Sequence, residues 1–306
     1  MTAKIIDGKK IASEIQEELK IETEKWVSAG NRRPSLVAIL VGEDPASSTY
    51  VANKMKAAQN TGIVSKTEKF EASLSESDLL KKIDELNKDD NIDGILVQLP
   101  LPEHMNEKRI CSSVTHEKDV DGFHILNIGN LVLGQQALPP CTPAGVMELL
   151  KRSGVETFGK NAVVCGRSKN VGLPLALMMH SDGKDGQYSM DSTTIICHRY
   201  TPREELARFA KSADIIITAT GVPHLITKDM VKPGACIIDV GITRIRDPNT
   251  GKTKLVGDVD FDNVKELAGH ITPVPGGVGP MTVTMLMKNT IQAAKYRAQK
   301  KKAALV

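Results

Sequence analysis

The sequence predicts an α/β protein with a mostly parallel sheet, because apolar runs of strand length alternate with helical patterns along the chain. The clearest runs are Ser35–Val41 and Asn161–Cys165, and each leads into a helical pattern. Helices that connect parallel strands make right-handed crossovers. With 306 residues and 3% aromatic residues, the chain is long enough for two domains, and its core must be aliphatic.

In the first half of the chain, apolar spacing and capping residues predict each helix and strand. Residues 9–29 carry apolar side chains at helical spacing, and Gly30 supplies a stop. Asp44 and Pro45 predict the N-terminus of a second helix, which reaches Gly62. The other predicted elements are strand 35–41, strand 63–70, a capped helix 75–87, strand 92–99 and a less regular segment 103–140.

The alternation restarts in the second half. Thr142 and Pro143 begin a helix to Gly154 that would connect the two domains. The patterns then predict strand 161–165, a helix to 180, a polar insertion 181–192, strand 193–197, helix 202–212, strands 214–218, 236–240 and 255–259, and helix 281–298. We therefore divide the chain into domain 1–145, on which the C-terminal helix of 281–306 packs back, and domain 146–280.

The second domain begins with a glycine turn. Val163 and Val164 lead straight into Gly166, and a helical pattern follows, which is the place where α/β proteins bind phosphate groups. The fit to G-x-G-x-x-G is imperfect, because Ser168 stands at the second glycine position and Gly172 comes one residue late. The turn favours a Rossmann-type dinucleotide-binding domain, and an ordinary βα turn is the alternative.

A tyrosine and a lysine lie four residues apart on the second helix. Tyr50 and Lys54 therefore share one helix face, where a lysine beside a cleft can act as a base or polarise a substrate. A surface pair is the alternative. Short-chain alcohol dehydrogenases have the same Y-x-x-x-K spacing, but their glycine turn precedes the pair, whereas here it follows.

Three further segments carry candidate site residues. Gln98 lies at the carboxyl end of a predicted strand, where open α/β sheets hold ligands. Asp119 and Asp121 flank a turn, and one of these carboxylates could face a cleft, although both could simply be turn residues. The segment 273–282 has three glycines and three prolines in ten residues, which suits a backbone that must approach a flat ligand.

Two arginines bear on which nucleotide binds. Arg167 lies in the glycine turn, and Arg199 follows the second strand of this domain. A site for NAD would have Asp or Glu at the end of that strand, whereas Arg suits the 2′-phosphate of NADP. The residues by themselves therefore favour NADP.

Composition argues against several classes of partner. The net charge of +3, without a basic stripe interleaved with aromatic residues, predicts no nucleic acid. No apolar run approaches the roughly 18 residues of a membrane span, and no presequence is visible at Met1–Lys4. The five cysteines lack C-x-x-C pairs and predict reduced core thiols of an intracellular protein.

Taken together, the motifs closely resemble those of the bifunctional methylenetetrahydrofolate dehydrogenase/methenyltetrahydrofolate cyclohydrolase family. The resemblance extends from Ile6 to about Lys295. The segments that carry it are Y-V-A-N-K, D-G-I-L-V-Q-L-P-L-P, K-D-V-D-G-F, G-R-S-x-x-V-G-x-P and P-G-G-V-G-P-M-T. The departure from G-x-G-x-x-G is this family's own version of the turn.

The resemblance implies a catalytic N-terminal domain, a Rossmann-type domain, and folate in the cleft between them. The implied catalytic residues are Lys54, hydrogen-bonded to Gln98, with Tyr50 and with Asp121, which would bind the pterin. The implied folate-binding set is Tyr50, Val51, Ala52, Asn53, Lys54, Val97, Gln98, Leu99, Asp121, Pro275, Gly276, Gly277, Val278 and Gly279. The implied cofactor set is Thr142, Gly166, Arg167, Ser168, Gly172, His198, Arg199, Gly221 and Ile242.

Within the family, H-R-Y-T-P, the insertion and K-L-V-G-D-V-D-F resemble the mitochondrial form. That form uses NAD with Mg²⁺ and inorganic phosphate, so Arg167 and Arg199 would hold a free phosphate and Asp191 would hold the metal. The resemblance therefore implies NAD, with NADP possible, a homodimer and a mitochondrial location, although a cytoplasmic one stays open. The alternatives are a short-chain-type alcohol dehydrogenase and a nucleotide-binding protein without turnover.

Overall fold

The computed structural model describes residues 2–184, 188–246, 251 and 253–303. Within these residues, the N-terminal elements in chain order are β1 Lys4–Ile5, α1 Gly8–Ser28, β2 Ser35–Val41, α2 Pro45–Asn60, β3 Val64–Phe70, α3 Glu76–Lys88, β4 Gly94–Val97, α4 Glu107–Cys111, α5 Ile125–Val132 and α6 Cys141–Arg152. The later elements are β5 Asn161–Cys165, α7 Gly172–His180, β6 Thr193–Cys197, α8 Arg203–Ser212, β7 Ile215–Thr218, a 3₁₀ turn Lys228–Met230, β8 Cys236–Asp239, β9 Thr243–Arg246, β10 Thr253–Val256, α9 Phe261–Val264, β11 His270–Ile271 and α10 Val278–Ala303.

The chain divides into two compact units. The first contains residues 2–12, 132–135 and 142–282, and the second contains residues 13–131, 136–141 and 283–303. Helices α1 and α10 each pass from one unit into the other. We call the second unit the lysine unit, after Lys54, and the first the glycine-turn unit.

The lysine unit contains a three-stranded parallel sheet of order β3-β2-β4. Strand β2 is central and almost fully buried, which explains its continuous apolar sequence. Helix α2 starts as predicted, because the Asp44 carboxylate accepts a hydrogen bond from the Ser47 amide at 2.7 Å and Pro45 occupies the first turn. This cap fixes the helix that carries Tyr50 and Lys54.

The glycine-turn unit contains a six-stranded, fully parallel sheet of order β1-β11-β8-β7-β5-β6. From β5 the chain passes first to β6 on one side and then to β7 on the other. The strand order therefore reverses at β5, and ligands of open α/β sheets bind outside the carboxyl ends of the strands at such a switch point.

The α/β class with parallel sheets is confirmed, but several elements differ from the prediction. The predicted strand 255–259 is wrong in extent, because β10 ends at Val256; it lies outside the large sheet and pairs antiparallel with β9. The large sheet is completed instead by two-residue strands, β11 and β1. The segment 103–140 contains α4 and α5.

Among the described helices, none has both the length and the apolar character that a membrane crossing requires.

Candidate functional site

A cavity of about 840 Å³ lies at the switch point of the six-stranded sheet. Its lining comes from the carboxyl ends of β5, β6 and β7 and from the residues that follow them. Five residues of the predicted cofactor set share this lining, namely Gly166, Arg167, Ser168, His198 and Arg199. The fold thus brings together residues that lie more than thirty positions apart in the sequence.

The structure explains why the glycine turn departs from the pattern G-x-G-x-x-G. A Cβ added at Gly166 would lie 2.4 Å from the Ala219 carbonyl oxygen, and its φ is +116°. A Cβ at Gly172 would lie 2.3 Å from the Gly166 carbonyl oxygen. Ser168 has its own function, because its hydroxyl accepts a hydrogen bond from the Gly172 amide at 3.2 Å. The serine thereby satisfies the amide of the first residue of α7, so a glycine there would lose an interaction.

Arg167 and Arg199, two of the three arginines that line this cavity, have no carboxylate partner within the described part of the chain. Both are exposed, and the Arg167 guanidinium carbon lies 5.8 Å from the centre of the Tyr200 ring. Tyr200 is in turn held by His198, whose Nδ1 accepts a hydrogen bond from the Tyr200 amide at 3.2 Å. Two unpaired cations at one cavity favour an anionic ligand.

The other predicted cofactor residues belong to the same unit but do not line this cavity. Gly221 and Ile242 are exposed, in the segments that follow β7 and β8. Thr142 lies near the start of α6, where its hydroxyl is 2.9 Å from that of Thr282. Their roles therefore stay predictions.

In the lysine unit, Lys54 and Gln98 form the hydrogen bond that the resemblance implies. The Lys54 ammonium donates to Gln98 Oε1 at 3.0 Å, and the Gln98 amide nitrogen donates to the Leu99 carbonyl at 2.6 Å. Gln98 is placed by β4, whose last residue is Val97. Tyr50, one turn before Lys54, is 52% exposed and has room for a ligand.

The two aspartates of the K-D-V-D-G-F segment have different environments. The Asp119 carboxylate accepts hydrogen bonds from Gly122, His124 and Asn127 and thereby holds the turn. Asp121 forms no hydrogen bond through its carboxylate within the described residues. Burial raises the pKa of Asp121 to about 7, while the Lys54 charge lowers it and the Asp119 charge adds to the increase. Asp121 is thus the carboxylate available to a ligand.

Two residues near Asp121 have no signal in a single sequence. The Asn289 side chain, on α10, donates to the carbonyls of Val120 and Pro139, both at 2.8 Å. The Cys141 thiol donates to the same Val120 carbonyl at 3.2 Å. Asn289 lies within a helical pattern 169 residues after Val120, so only a known pairing of the two segments could have identified it.

The segment 273–279 belongs to the glycine-turn unit and packs tightly against the start of α1. A Cβ added at Gly8 would lie 1.8 Å from the Gly277 carbonyl oxygen, and the Lys9 amide donates to the Gly276 carbonyl at 3.1 Å. Val278 and Gly279 form the first turn of α10. The glycines therefore serve close backbone packing, and the binding role of Pro275–Gly279 stays a prediction.

Asp191 lies in a different cavity, of about 620 Å³, which His180 and Asp182 also line. Its φ is +52°, and one carboxylate oxygen accepts the Gly183 amide at 2.9 Å. Among the described residues, no group of three or more acidic, histidine or cysteine side chains could hold a metal. Mg²⁺ is commonly bound by one or two carboxylates together with water and phosphate oxygens, so Asp191 can contribute one ligand of such a set.

The geometry thus supports two kinds of chemistry. The glycine-turn unit offers a dinucleotide cavity with an anion-binding edge. The lysine unit offers an amine held by an amide, near a carboxyl group whose pKa is raised to about 7. These are components for binding a nicotinamide cofactor and for moving a proton.

Two family models match the chain. The catalytic domain of tetrahydrofolate dehydrogenase/cyclohydrolase matches residues 6–121, and the NAD(P)-binding domain of the same proteins matches residues 140–298. The chain is 57% identical over 302 residues to the mitochondrial bifunctional methylenetetrahydrofolate dehydrogenase/cyclohydrolase of Drosophila melanogaster, covering 99% of this chain and 98% of that protein.

Solved structures agree with these matches. The structure of a 5,10-methylenetetrahydrofolate dehydrogenase from the silkworm, Bombyx mori, has a TM-score of 0.91 at 54% identity, covering 97% of this chain and 99% of that one. A methylenetetrahydrofolate dehydrogenase-cyclohydrolase of Trypanosoma brucei, complexed with NADP and an inhibitor, has a TM-score of 0.89 at 38% identity, covering 97% and 99%.

Proposed function

The chain belongs to the tetrahydrofolate dehydrogenase/cyclohydrolase family, and we propose that it oxidises 5,10-methylenetetrahydrofolate and hydrolyses the product to 10-formyltetrahydrofolate. Relatives with these activities are similar to it over nearly their whole length. The observation that carries the catalytic part is the Lys54–Gln98 hydrogen bond near the carboxyl group of Asp121, which forms no hydrogen bond within the described residues and whose pKa is raised to about 7. A short-chain alcohol dehydrogenase is excluded by the family match, since both family models cover this chain.

The reaction proceeds in two steps. In the first, the one-carbon bridge between N5 and N10 loses a hydride, and the folate becomes the 5,10-methenyl cation. The oxidised nicotinamide cofactor, when bound in the glycine-turn unit, supplies the hydride acceptor. In the second step, water adds to the bridging carbon, a proton leaves, and the bond from this carbon to N5 breaks. The product is 10-formyltetrahydrofolate.

The residues of the lysine unit have distinct roles in these steps. Lys54, oriented by Gln98, stabilises the addition of water and transfers protons at the bridging carbon and N5. Asp121 hydrogen-bonds to the pterin ring, for which its unpaired carboxyl group is suited. Tyr50 covers the folate through its exposed ring. Pro275–Gly279 contact the folate beside the nicotinamide.

Substitution of Lys54 tests the catalytic proposal. Lys54→Met keeps the length of the side chain but removes its nitrogen, so cyclohydrolase activity should fall at least about 100-fold, the usual contribution of one general acid–base group. Lys56→Met, on the exposed side of the same helix, is the matched control and should retain activity. Hydrolysis of methenyltetrahydrofolate is followed by absorbance. A Lys54→Met rate equal to that of the control would remove Lys54 from the mechanism.

For the cofactor we propose NAD used together with inorganic phosphate. The support is that Arg167 and Arg199 line the cavity without carboxylate partners, so their charges can be matched by a free phosphate in place of the NADP 2′-phosphate. Arg199→Ala should weaken NAD turnover and abolish its dependence on phosphate. Arg208→Ala, which removes an arginine already paired with Glu205, is the control. Equal NAD kinetics with and without phosphate would refute the phosphate proposal.

We further propose that Asp191 contributes a ligand to Mg²⁺, with phosphate oxygens and water completing the set. The support is that Asp191 lines a cavity with one carboxylate oxygen that accepts no hydrogen bond from the described residues, in a backbone conformation that is uncommon for a residue with a side chain. Asp191→Asn should raise the Mg²⁺ concentration needed for half-maximal NAD turnover. Asp182→Asn, in the same cavity, should not. Indistinguishable Mg²⁺ titrations of the three proteins would reject the site.

We also propose a mitochondrial location, which is supported by the name of the Drosophila relative. The sequence resemblance supports a homodimer. Cell fractionation tests the first, and light scattering on the purified protein tests the second. Recovery in the cytosol, or the mass of a monomer, would count against them.

A further inference from the structure

One buried polar atom in the described residues lacks a hydrogen-bond partner, and it belongs to Asp258. This side chain is fully buried, with 0% exposure. Its Oδ2 accepts from the Thr220 amide at 2.6 Å, the Thr220 hydroxyl at 2.8 Å and the Gly221 amide at 3.3 Å, whereas Oδ1 accepts nothing. A buried carboxylate with an unsatisfied oxygen is costly, so its retention calls for a physical reason.

A second buried carboxylate supports the first. Asp239, 3% exposed at the end of β8, accepts the Asp258 amide at 3.0 Å and the Val259 amide at 2.9 Å. It also accepts the Gly241 amide at 2.9 Å and the Thr218 hydroxyl at 3.0 Å. Asp239 therefore fixes the backbone of Asp258, and Asp258 in turn fixes the backbone after β7.

Two glycines make room for this pair. A Cβ added at Gly241 would lie 2.2 Å from Asp258 Oδ1, and a Cβ added at Gly257 would lie 1.9 Å from Asp239 Oδ2. Neither glycine has a positive φ, so space for the carboxylates, and not backbone conformation, explains them. Only glycine fits at positions 241 and 257, because a side chain at either position would collide with the carboxylate of Asp258 or Asp239.

The pair acts directly on the cofactor cavity. Thr220, which donates two of the three hydrogen bonds that Asp258 accepts, lines that cavity, and Gly221 follows it. Gly241 precedes Ile242, another residue of the proposed cofactor set. Asp239 and Asp258 consequently hold the segments that follow β7 and β8. The carboxyl ends of these two strands lie at the edge of the sheet where ligands bind.

We infer that Asp258, oriented by Asp239, is a positioning residue for the nicotinamide cofactor: it holds the Thr220–Gly221 backbone in the conformation that binds the cofactor. This inference rests on the proposed function of the cavity. It adds to that function a pair of residues that do not touch the ligand but determine how well it binds.

The pair also makes cofactor binding sensitive to acid. The pKa of Asp239 is raised to about 6, chiefly by burial, and the charge that adds to the increase is that of Asp258. Its other contacts, Thr218, Gly241 and Val259, carry no charge. When Asp239 takes up a proton, the protonated oxygen can no longer accept every hydrogen bond that it now receives. Asp239 then holds the backbone of Asp258 less firmly. NADH affinity should therefore fall as the pH drops through about 6.

The test measures NADH binding by fluorescence from pH 5 to 8.5, in one buffer for all proteins. Asp258→Ala leaves two amides and a hydroxyl unpaired, and the Kd at pH 7.5 should rise about tenfold, as expected for roughly one net hydrogen bond. Asp258→Asn keeps an oxygen for these donors but removes the charge beside Asp239. Its acid limb should move to lower pH, because the charge that raises the pKa of Asp239 is gone, with a smaller change in Kd at pH 7.5.

Asp214→Asn is the matched control, because Asp214 accepts the amide of Asn161, the first residue of β5, at the opposite end of the same sheet. It should retain the wild-type pH profile even if it is less stable. Cyclohydrolase activity, which consumes no cofactor, reports whether each variant is folded. A profile of Asp258→Asn that superimposes on the wild type, or wild-type affinity in folded Asp258→Ala, would overturn the inference. Absence of dehydrogenase turnover with normal NADH binding would defeat only the proposed function.

Discussion

At the scale of single residues, hydrogen-bond occupancy separates aspartates that hold the backbone from aspartates whose carboxylate is free for a ligand. Asp119 and Asp121 are two positions apart and identical in type, yet the first is saturated by turn donors and the second is free. The pair Asp239 and Asp258 shows an intermediate case, in which saturation of one residue orients the other. No sequence pattern distinguishes these states, because each depends on which donors the fold brings near.

Asp121→Asn should make the protein more stable at pH 8 while it weakens folate turnover. With a pKa raised to about 7, the wild-type carboxyl group is ionised and buried at pH 8, which costs folding free energy that a neutral amide does not. We expect a gain of about 1–3 kcal/mol in the free energy of unfolding. Urea unfolding at pH 8 and pH 5.5 measures it, and the gain should shrink at pH 5.5, where the wild-type group is protonated.

Asp119→Asn is the control for that substitution. Its new NH₂ group would face donors that now bind a carboxylate, so it should destabilise the fold by about 1–3 kcal/mol. If Asp121→Asn were as destabilising as Asp119→Asn, the free state of Asp121 would be contradicted.

At the scale of elements, the sequence predicted those whose signal lies within their own residues. Strand β2 and helix α2 were found because a buried apolar run and an Asp-Pro cap are local features. Strands β1 and β11 were missed because each has two residues and exists only through pairing across the chain. Strand β10 was misplaced because its apolar residues pair with the hairpin strand β9, a choice that periodicity does not encode.

Helix α10 also has a role that its apolar pattern did not reveal. Asn289 donates to the carbonyl of Val120, which directly precedes Asp121, and to that of Pro139, so Asn289→Leu should raise the KM for the folate substrate about tenfold and lower stability by about 1–3 kcal/mol. Thr290→Val is the control, because the Thr290 hydroxyl binds only the Leu286 carbonyl of its own helix. It should cost stability without changing KM. Steady-state kinetics of the two variants, compared at equal folded fraction, decides the question, and equal KM values would contradict the role of Asn289.

At the scale of the whole molecule, the sequence predicted the residues that would contact a ligand but not the residues that hold them in place. The glycine turn, Lys54, Gln98 and both arginines were identified from motifs, and the Lys54–Gln98 contact is present. Cys141, Asn289 and the Asp239–Asp258 pair were not identified, since they act on ligand-binding segments through the backbone. Such residues look like ordinary core or turn positions until the segments they hold are known.

The buried carboxyl groups also determine how the stability of the whole protein responds to pH. Asp121 and Asp239 have folded-state pKa values of about 7 and about 6, above the unfolded value of 3.8, so the folded chain binds more protons than the unfolded chain between these limits. The stabilising effect of their protonation is complete below the unfolded pKa and is lost as the pH rises through the folded pKa. Stability should therefore increase on acidification from pH 8 to pH 6.5, by about 1 kcal/mol.

The window ends at pH 6.5 for a physical reason. The pKa values of His124 and His270 are lowered by burial, so these groups oppose the trend where an unfolded histidine becomes protonated. Lys118, with a pKa lowered to about 8 by burial, also opposes the trend, but mainly above the window. Urea midpoints at constant ionic strength measure the slope, and Asp121→Asn should remove most of it. An unchanged slope in that variant, or greater wild-type stability at pH 8 than at pH 6.5, would show that folding does not raise the pKa of Asp121.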